Sequence, residues 1–295
     1  MLDFHSVTLD DSFWIKERLA YKKDVSCEYC FGNIFAYGKV LDIYVADYED
    51  CLITKYFDGE NGFYAFPVGN GDIKKALLKI VEDAESNYKK SYIYGLSKKD
   101  AEFFKSVFGE RFDVYENRDA SDYVYNSIDL ITLAGKKYQP KRNHISYFKK
   151  NFNWSYESIT GDNISDCLEM SKKWLVSSPS EYKDKLEREY RIIKCVFDNY
   201  EALGFKGGLI RVDGEVVAYT MGEELDSETF CVHFEKAYSD MRGAYPLINQ
   251  QFVENELSDY LYINREDDVG AQNLRKAKLS YYPCYLVDKF EVEIN

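Results

Sequence analysis

Between Trp154 and Phe290 the chain alternates strand-like and helix-like segments in an order that few architectures accommodate. Trp154–Ile159 reads as a strand. Ser165–Leu175 and Glu181–Leu203 carry apolar residues at helical spacing, with Gly204 placed as a C-cap. Gly207–Glu224 reads as a hairpin closed by the two-residue turn Asp213-Gly214. In Glu228–Lys236, Phe230, Val232 and Phe234 alternate with Cys231, His233 and Glu235, the period of a strand. A helix (Gly243–Leu257), a strand (Tyr260–Asn264), a helix (Ala271–Leu279) and a strand (Tyr285–Glu291) complete the series.

The order β, α, α, β, β, β, α, β, α, β is that of the GNAT acyltransferase fold, an α/β (α+β) domain whose mixed, mostly antiparallel sheet is flanked by helices. The first half repeats its core. Lys39–Val45, Cys51–Phe57 and Gly62–Val68 read as strands, and a helix begins after the N-cap Asp72 with Ile73, Ala76, Leu77, Ile80, Val81 and Ala84 on one face. Ser91–Leu96 reads as a strand. A capping box at Ser97 and Asp100 opens a helix through Phe108, closed by Gly109, and Arg111–Glu116 reads as another strand. A length of 295 residues suits two such units, expected at 1–126 and 127–295.

The net charge of −13 excludes general attraction to nucleic acid or anionic lipid, so any such partner needs a local basic patch. One exists. No acidic residue lies between Asp129 and Glu157, a stretch holding Lys136, Lys137, Lys141, Arg142, Lys149 and Lys150, so the basic segment 136–150 is expected at the junction of the two units. A second acid-free stretch, between Asp268 and Asp288, holds Arg275, Lys276 and Lys278. Seven scattered cysteines point to reduced thiols and a cytoplasmic location. No uncharged run exceeds the 11 residues of Gly243–Val253, against roughly 20 for a membrane-spanning helix. Cys27-x-x-Cys30 has no second pair at ligand spacing, and only three histidines occur, so these read as core cysteines and no metal site is expected.

His233 and Glu235 fall on one strand face by period 2, with Lys236 adjacent. A histidine beside a carboxylate can serve as a general base and a lysine can hold an oxyanion; the same spacing also fits a polar strand face bridged by an ion pair. Arg242-Gly243-Ala244 stands at a strand-to-helix junction, where free amides favour anions, although an ordinary helix start has the same pattern. Asn264-Arg265-Glu266-Asp267-Asp268, with Gly270, leads into Leu274-Arg-Lys-Ala-Lys-Leu-Ser-Tyr-Tyr-Pro283 and reads either as a charged cleft rim or as a solvated loop with capping acids. In Lys136-Lys-Tyr-Gln-Pro-Lys-Arg-Asn-His144, which leads to Ile145, Phe148 and Phe152 on one helix face, the basic density suits phosphate contacts.

Taken together, Leu133-Ala-Gly-Lys-Lys137, Lys141-Arg-Asn-His-Ile145, His233-Phe-Glu-Lys236, Arg242-Gly-Ala244, Asn264-Arg-Glu-Asp267 and Leu274-Arg-Lys-Ala-Lys-Leu-Ser280 resemble the signature of the phosphatidylglycerol lysyltransferase C-terminal domain family. The resemblance implies tandem GNAT-like domains related to the Fem aminoacyltransferases. It also implies transfer of an amino acid from aminoacyl-tRNA to a lipid or another amine or hydroxyl acceptor, without a required cofactor. tRNA and transient contact with membrane lipid headgroups are the implied partnerships. Well-understood members carry an N-terminal membrane domain, and none is expected within this sequence. On this reading His233 or Glu235 is the base, and Lys236 or Arg265 stabilises developing negative charge. Arg242, Gly243 and Ala244 hold donor phosphate. Arg142, His144, Arg275, Lys276 and Lys278 bind tRNA or lipid phosphate, with Asn264, Glu266, Asp267, Ser280 and Tyr281 lining the cleft. An acyl-CoA-dependent N-acyltransferase and a non-catalytic binding module are the alternatives.

Overall fold

The computed structural model describes residues 2–177 and 183–294. The chain divides into two compact units: residues 1–123, 266–276 and 286–295 form unit 1, and residues 124–265 and 277–285 form unit 2. This differs from a single cut at 126/127, because the C-terminal strand and the loop after Arg265 belong to unit 1.

Unit 1 holds strands β1 (His5–Ser6), β2 (Tyr44–Tyr48), β3 (Cys51–Asp58), β4 (Asn61–Ala65), β5 (Val68–Gly69), β6 (Lys90–Leu96) and β7 (Asp113–Glu116). Its helices are α1 (Ser12–Leu19), α2 (Phe31–Leu41), α3 (Ile73–Asn87) and α4 (Lys98–Phe108). The sheet order is β1-β2-β3-β4-β6, then the C-terminal strand Phe290–Ile294, then β7, with β5 paired to β3. Only β4 and β6 pair in parallel. Helix α3 buries Ala76, Leu77, Ile80, Val81 and Ala84 against Ile53, Tyr64, Ile93 and Val292, each large apolar side chain contributing about 1.5–3 kcal/mol. Asp72 accepts from the Lys75 amide at 3.1 Å, and Ser97 with Asp100 forms the reciprocal cap of α4.

The strand expected over Lys39–Val45 is instead the end of α2 followed by β2. Its alternating Leu41, Ile43 and Val45 mimic a strand, but Phe31, Ile34 and Phe35 upstream set a helical face. Gly38 lets that helix pack closely, since a Cβ there would lie 2.3 Å from Val7. The expected final strand Tyr285–Glu291 is two short strands in two different sheets.

The second sheet holds β8 (Asp122–Asn126), β9 (Trp154–Ser158), β10 (Lys206–Val212), β11 (Glu215–Glu224), β12 (Thr229–Ala237), β13 (Tyr262–Asn264) and β14 (Tyr285–Val287), of which β9 to β13 lie wholly in unit 2 while β8 and β14 straddle its boundary. The helices are α5 (Ser127–Thr132), α6 (Gln139–Asn151), α7 (Ile164–Ser177), α8 (Lys183–Asp198), α9 (Tyr200–Leu203), α10 (Ala244–Glu256) and α11 (Gln272–Leu279), the last supplying Arg275 and Lys276 to unit 1. The first residues of the helix expected from Glu181 lie outside the described residues. The sheet order is β14-β8-β13-β12-β11-β10-β9; β12 and β13 pair in parallel, and β8–β13, β11–β12, β10–β11 and β9–β10 pair antiparallel. Asp213 and Gly214 both have positive φ, as the tight turn requires, and join β10 to β11 with Val212 opposite Glu215. Each sheet thus sets a parallel pair within a mostly antiparallel frame.

Candidate functional site

In unit 2 the parallel pair stays in register from Thr229↔Tyr262 to Cys231↔Asn264; β13 then ends while β12 runs on to Ala237. Arg265, the next residue, stands where the strands part. Its Nη2 donates to Glu235 Oε1 at 2.9 Å, and Asn249 of α10 donates through Nδ2 to Glu235 Oε2 at 3.3 Å. The Arg265 guanidinium lies 4.8 Å from the ring centroid of Tyr281 and 5.7 Å from that of Tyr125. Lys141 of α6 places its ammonium 3.8 Å from the same Tyr281 ring.

Three polar groups in this cluster are incompletely used. Arg265 Nη1 and Asn249 Oδ1 are buried with no hydrogen-bond partner among the described residues, and Asn249 is only 2% exposed. Lys141 has no carboxylate within ion-pair distance among the described residues. Burial, together with repulsion from Arg265, pulls its pKa down to about 8, and Glu235 only partly counters them. The cluster combines two cations and one carboxylate with a spare donor and a spare acceptor, as a site for an anionic or oxyanionic group needs.

The trio proposed on β12 divides among separate environments. A bulge shifts the β11–β12 register, with Gly222 opposite Val232 and Met221 opposite Phe234, so His233 is the extra residue on β12 and strict alternation breaks there. His233 is 9% exposed; its Nε2 lies 3.2 Å from Glu223 and its ring packs on Phe205. Lys236 pairs with Glu189 of α8 at 2.7 Å and lies over the Trp174 ring of α7. Of the expected catalytic residues, Glu235 and Arg265 form a direct ion pair.

The expected phosphate binders also have local duties. Arg142 donates to the carbonyls of Leu133 and Gly135 and to Gln139, so it fastens the turn before α6. Arg242 donates through Nε to His144 Nδ1 at 3.2 Å and packs over Tyr147. Burial, Arg242 and Lys141 all lower the His144 pKa, favouring neutral imidazole. Gly243 has φ +100°, and a Cβ there would fall 2.3 Å from the His144 carbonyl oxygen; close helix approach accounts for this glycine. The Ala244 amide already donates to Met241 O at 3.0 Å. Asn264 is fully buried at the end of β13, Lys278 donates to Arg265 O, and Ser280 donates to Ala277 O. Tyr281, buried, is the aromatic floor described above, and its carbonyl accepts from the Tyr138 hydroxyl at 2.9 Å.

Glu266, Asp267, Arg275 and Lys276 fall in unit 1. Asn33 approaches Glu266 at 3.4 Å, and burial raises the Asp267 pKa to about 6 against the pull of Lys289. Arg275 makes two bonds to the fully buried Asp268, at 2.7 and 2.8 Å, and one to Asp119, whereas Lys276 is exposed. In the same unit Cys27, Glu28 and Asp122 converge, with the Lys289 ammonium 2.7 Å from each carboxylate and 3.5 Å from the Cys27 sulfur. A protein cation already sits among these candidate ligands, and burial raises the Cys27 thiol pKa, so the thiol is neutral.

Asn249 and Tyr125 complete the site without a sequence signal, and Lys141 was expected only as one member of the basic, phosphate-contacting segment. Lys141 precedes the buried Ile145 by four residues and Phe148 by seven, which sets it on the inward face of α6. Asn249 carried no such signal, because its helix buries residues on several sides.

The family model for the C-terminal region of phosphatidylglycerol lysyltransferase matches residues 20–292. The chain belongs to this family. Its fold is close to that of a conserved protein of unknown function from Bacteroides thetaiotaomicron, 36% identical with both chains covered in full and a TM-score of 0.93. L-PGS from Bacillus licheniformis aligns over 88% of this chain and 86% of its own, at 14% identity and a TM-score of 0.61. A tandem GNAT protein from the clavulanic acid biosynthesis pathway aligns over 100% of this chain and 99% of its own, at 10% identity and a TM-score of 0.55. The family member therefore has two tandem GNAT-like units and is of the aminoacyltransferase type within that fold. Among the described residues no helix is long and apolar enough to cross a membrane.

Proposed function

We propose that this family member transfers an aminoacyl group from an aminoacyl-tRNA ester to an amine or hydroxyl acceptor, at the Glu235–Arg265–Lys141 cluster of unit 2. The observation that carries this reading is the pair of cations at the mouth of the parallel strands: Arg265, whose buried Nη1 has no hydrogen-bond partner among the described residues, and Lys141, which has no carboxylate partner among them. An activated ester needs alignment more than covalent help. The acceptor oxygen or nitrogen attacks the ester carbonyl carbon and loses its proton to the Glu235 carboxylate. Arg265 Nη1 donates to the carbonyl oxygen as it becomes an oxyanion. The carbon–oxygen bond to the terminal ribose breaks as the Lys141 ammonium donates a proton to the departing oxygen, its pKa of about 8 being near the working range for proton transfer. Exchange with solvent restores both groups.

The exposed ammoniums of Lys136, Lys137, Lys149 and Lys150 have no ion-pair partner among the described residues and suit contacts to the tRNA phosphates. The test incubates the protein with charged total tRNA and candidate lipid, amine and hydroxyl acceptors, following the labelled amino acid by mass spectrometry. Transfer by the wild type, reduced by about 100-fold or more in folded Glu235→Gln and Lys141→Met, is the expected result. Wild-type rates in both variants, or transfer driven by acyl-CoA and never by charged tRNA, would overturn the reading.

A further inference from the structure

Unit 1 has its own opening at the carboxyl ends of a parallel pair. β4 and β6 stay in register from Asn61↔Lys90 to Ala65↔Tyr94, and the chain segments that follow them then diverge. Between them lies a cleft of about 550 Å³ walled by Phe66, Pro67 and Val68 on one side and by Ser97 and Phe103 on the other. Such a volume falls within the usual range for small-ligand sites, and the carboxyl ends of parallel strands are where open sheets leave room for ligands. Phe103 is 41% exposed, an uncommon state for a phenylalanine beside a concavity.

The charge of this cleft runs against that of the protein. Its lining holds Lys22, Lys23, Lys98 and Lys99 against only Asp24 and Asp100, a local balance of +2 in a chain of net −13. Lys22 is committed: its ammonium lies 2.7 Å from Asp100 and 3.1 Å from Asp24, above the Tyr29 ring. Lys23, Lys98 and Lys99 have no ion-pair partner among the described residues. The positive end of the 11-residue helix α4 adds to the field.

We propose that this cleft is a second ligand site, binding a phosphate monoester that carries an apolar group. The dianionic phosphate matches the surplus of two charges and lies at Lys23, Lys98 and Lys99. The apolar part lies on Phe66, Val68 and Phe103. The proposal does not depend on the transfer reaction of unit 2, and its test reads binding alone. Octyl phosphate below its micellar concentration is titrated into the full chain by calorimetry, with inorganic phosphate and octanol as separate titrants. Saturable binding is expected, at least tenfold tighter than either fragment. It should weaken at least tenfold in the double variant Lys98→Glu/Lys99→Glu and in Phe103→Ser. Both lysines are exposed in the first turn of a helix, where glutamate is well tolerated, so the double variant should fold normally by circular dichroism. Cosedimentation with phosphatidylcholine vesicles containing phosphatidic acid, a lipid phosphate monoester, separates a membrane source of the ester from a soluble one. A signal that depends on Lys98 and Lys99 in either arm upholds the site. Absence of binding in both arms, or binding indifferent to the double substitution, overturns it.

Discussion

Lys141 should make the protein less stable while making it active, and Lys141→Met separates the two effects. Taking the ammonium from 10.5 to about 8 corresponds to at most about 3.4 kcal/mol, at about 1.36 kcal/mol per pH unit. The side chain retains contact with water, and solvent screening reduces this to about 1.5 kcal/mol. The cation–π contact with Tyr281 returns about 0.5 kcal/mol, and a methionine thioether can replace part of that packing. The net expectation at pH 7 is a variant about 1 kcal/mol more stable than the wild type. A lysine whose folded pKa is depressed binds fewer protons folded than unfolded between the two pKa values, so wild-type stability rises with pH across that window. The advantage of Lys141→Met is therefore full below pH 8 and fades as pH rises from about 8 towards 10.5. Urea unfolding of both proteins at pH 7 and pH 10 measures it. A difference that stays the same at the two pH values, or a variant less stable at pH 7 than at pH 10 relative to wild type, would refute the reasoning.

The other expectations concern residues that the fold removes from the cluster. His233→Gln should cost about 1–3 kcal/mol in stability by disturbing the buried contacts with Glu223 and Phe205, while the transfer rate changes less than tenfold; a rate loss of 100-fold in the folded variant would return His233 to the chemistry. Gly243→Ala should lower stability by about 2 kcal/mol or more, because φ is +100° and the new Cβ meets the His144 carbonyl; a melting temperature within a degree of wild type would contradict this.

Much of the architecture was legible because it rests on local signals. The cap at Asp72, the box at Ser97 and Asp100, the Asp213-Gly214 turn and the Gly204 terminus each follow from hydrogen bonds within a few residues. The Lys39–Val45 segment was misread because short apolar runs fit either period, and burial upstream decided for helix. At the candidate site, Glu235 and Arg265 were legible as reactive residues at strand ends. The separation of His233 from Glu235 was not, because a bulge has no sequence signature as strong as a turn.

Sequence alone determined the tandem α/β plan, the family and the basic character of the segment around α6. Those properties depend on periodicity, composition and ordered motifs, all of which are written along one strand or helix at a time. Only the tertiary structure decided which charges share a site. It set Lys141 over Tyr281 beside Arg265, gave Lys236 to Glu189, and placed the last strand in the sheet of unit 1. Ion pairing and pKa shifts depend on distance and burial between elements remote in sequence, which no spacing rule along the chain can supply.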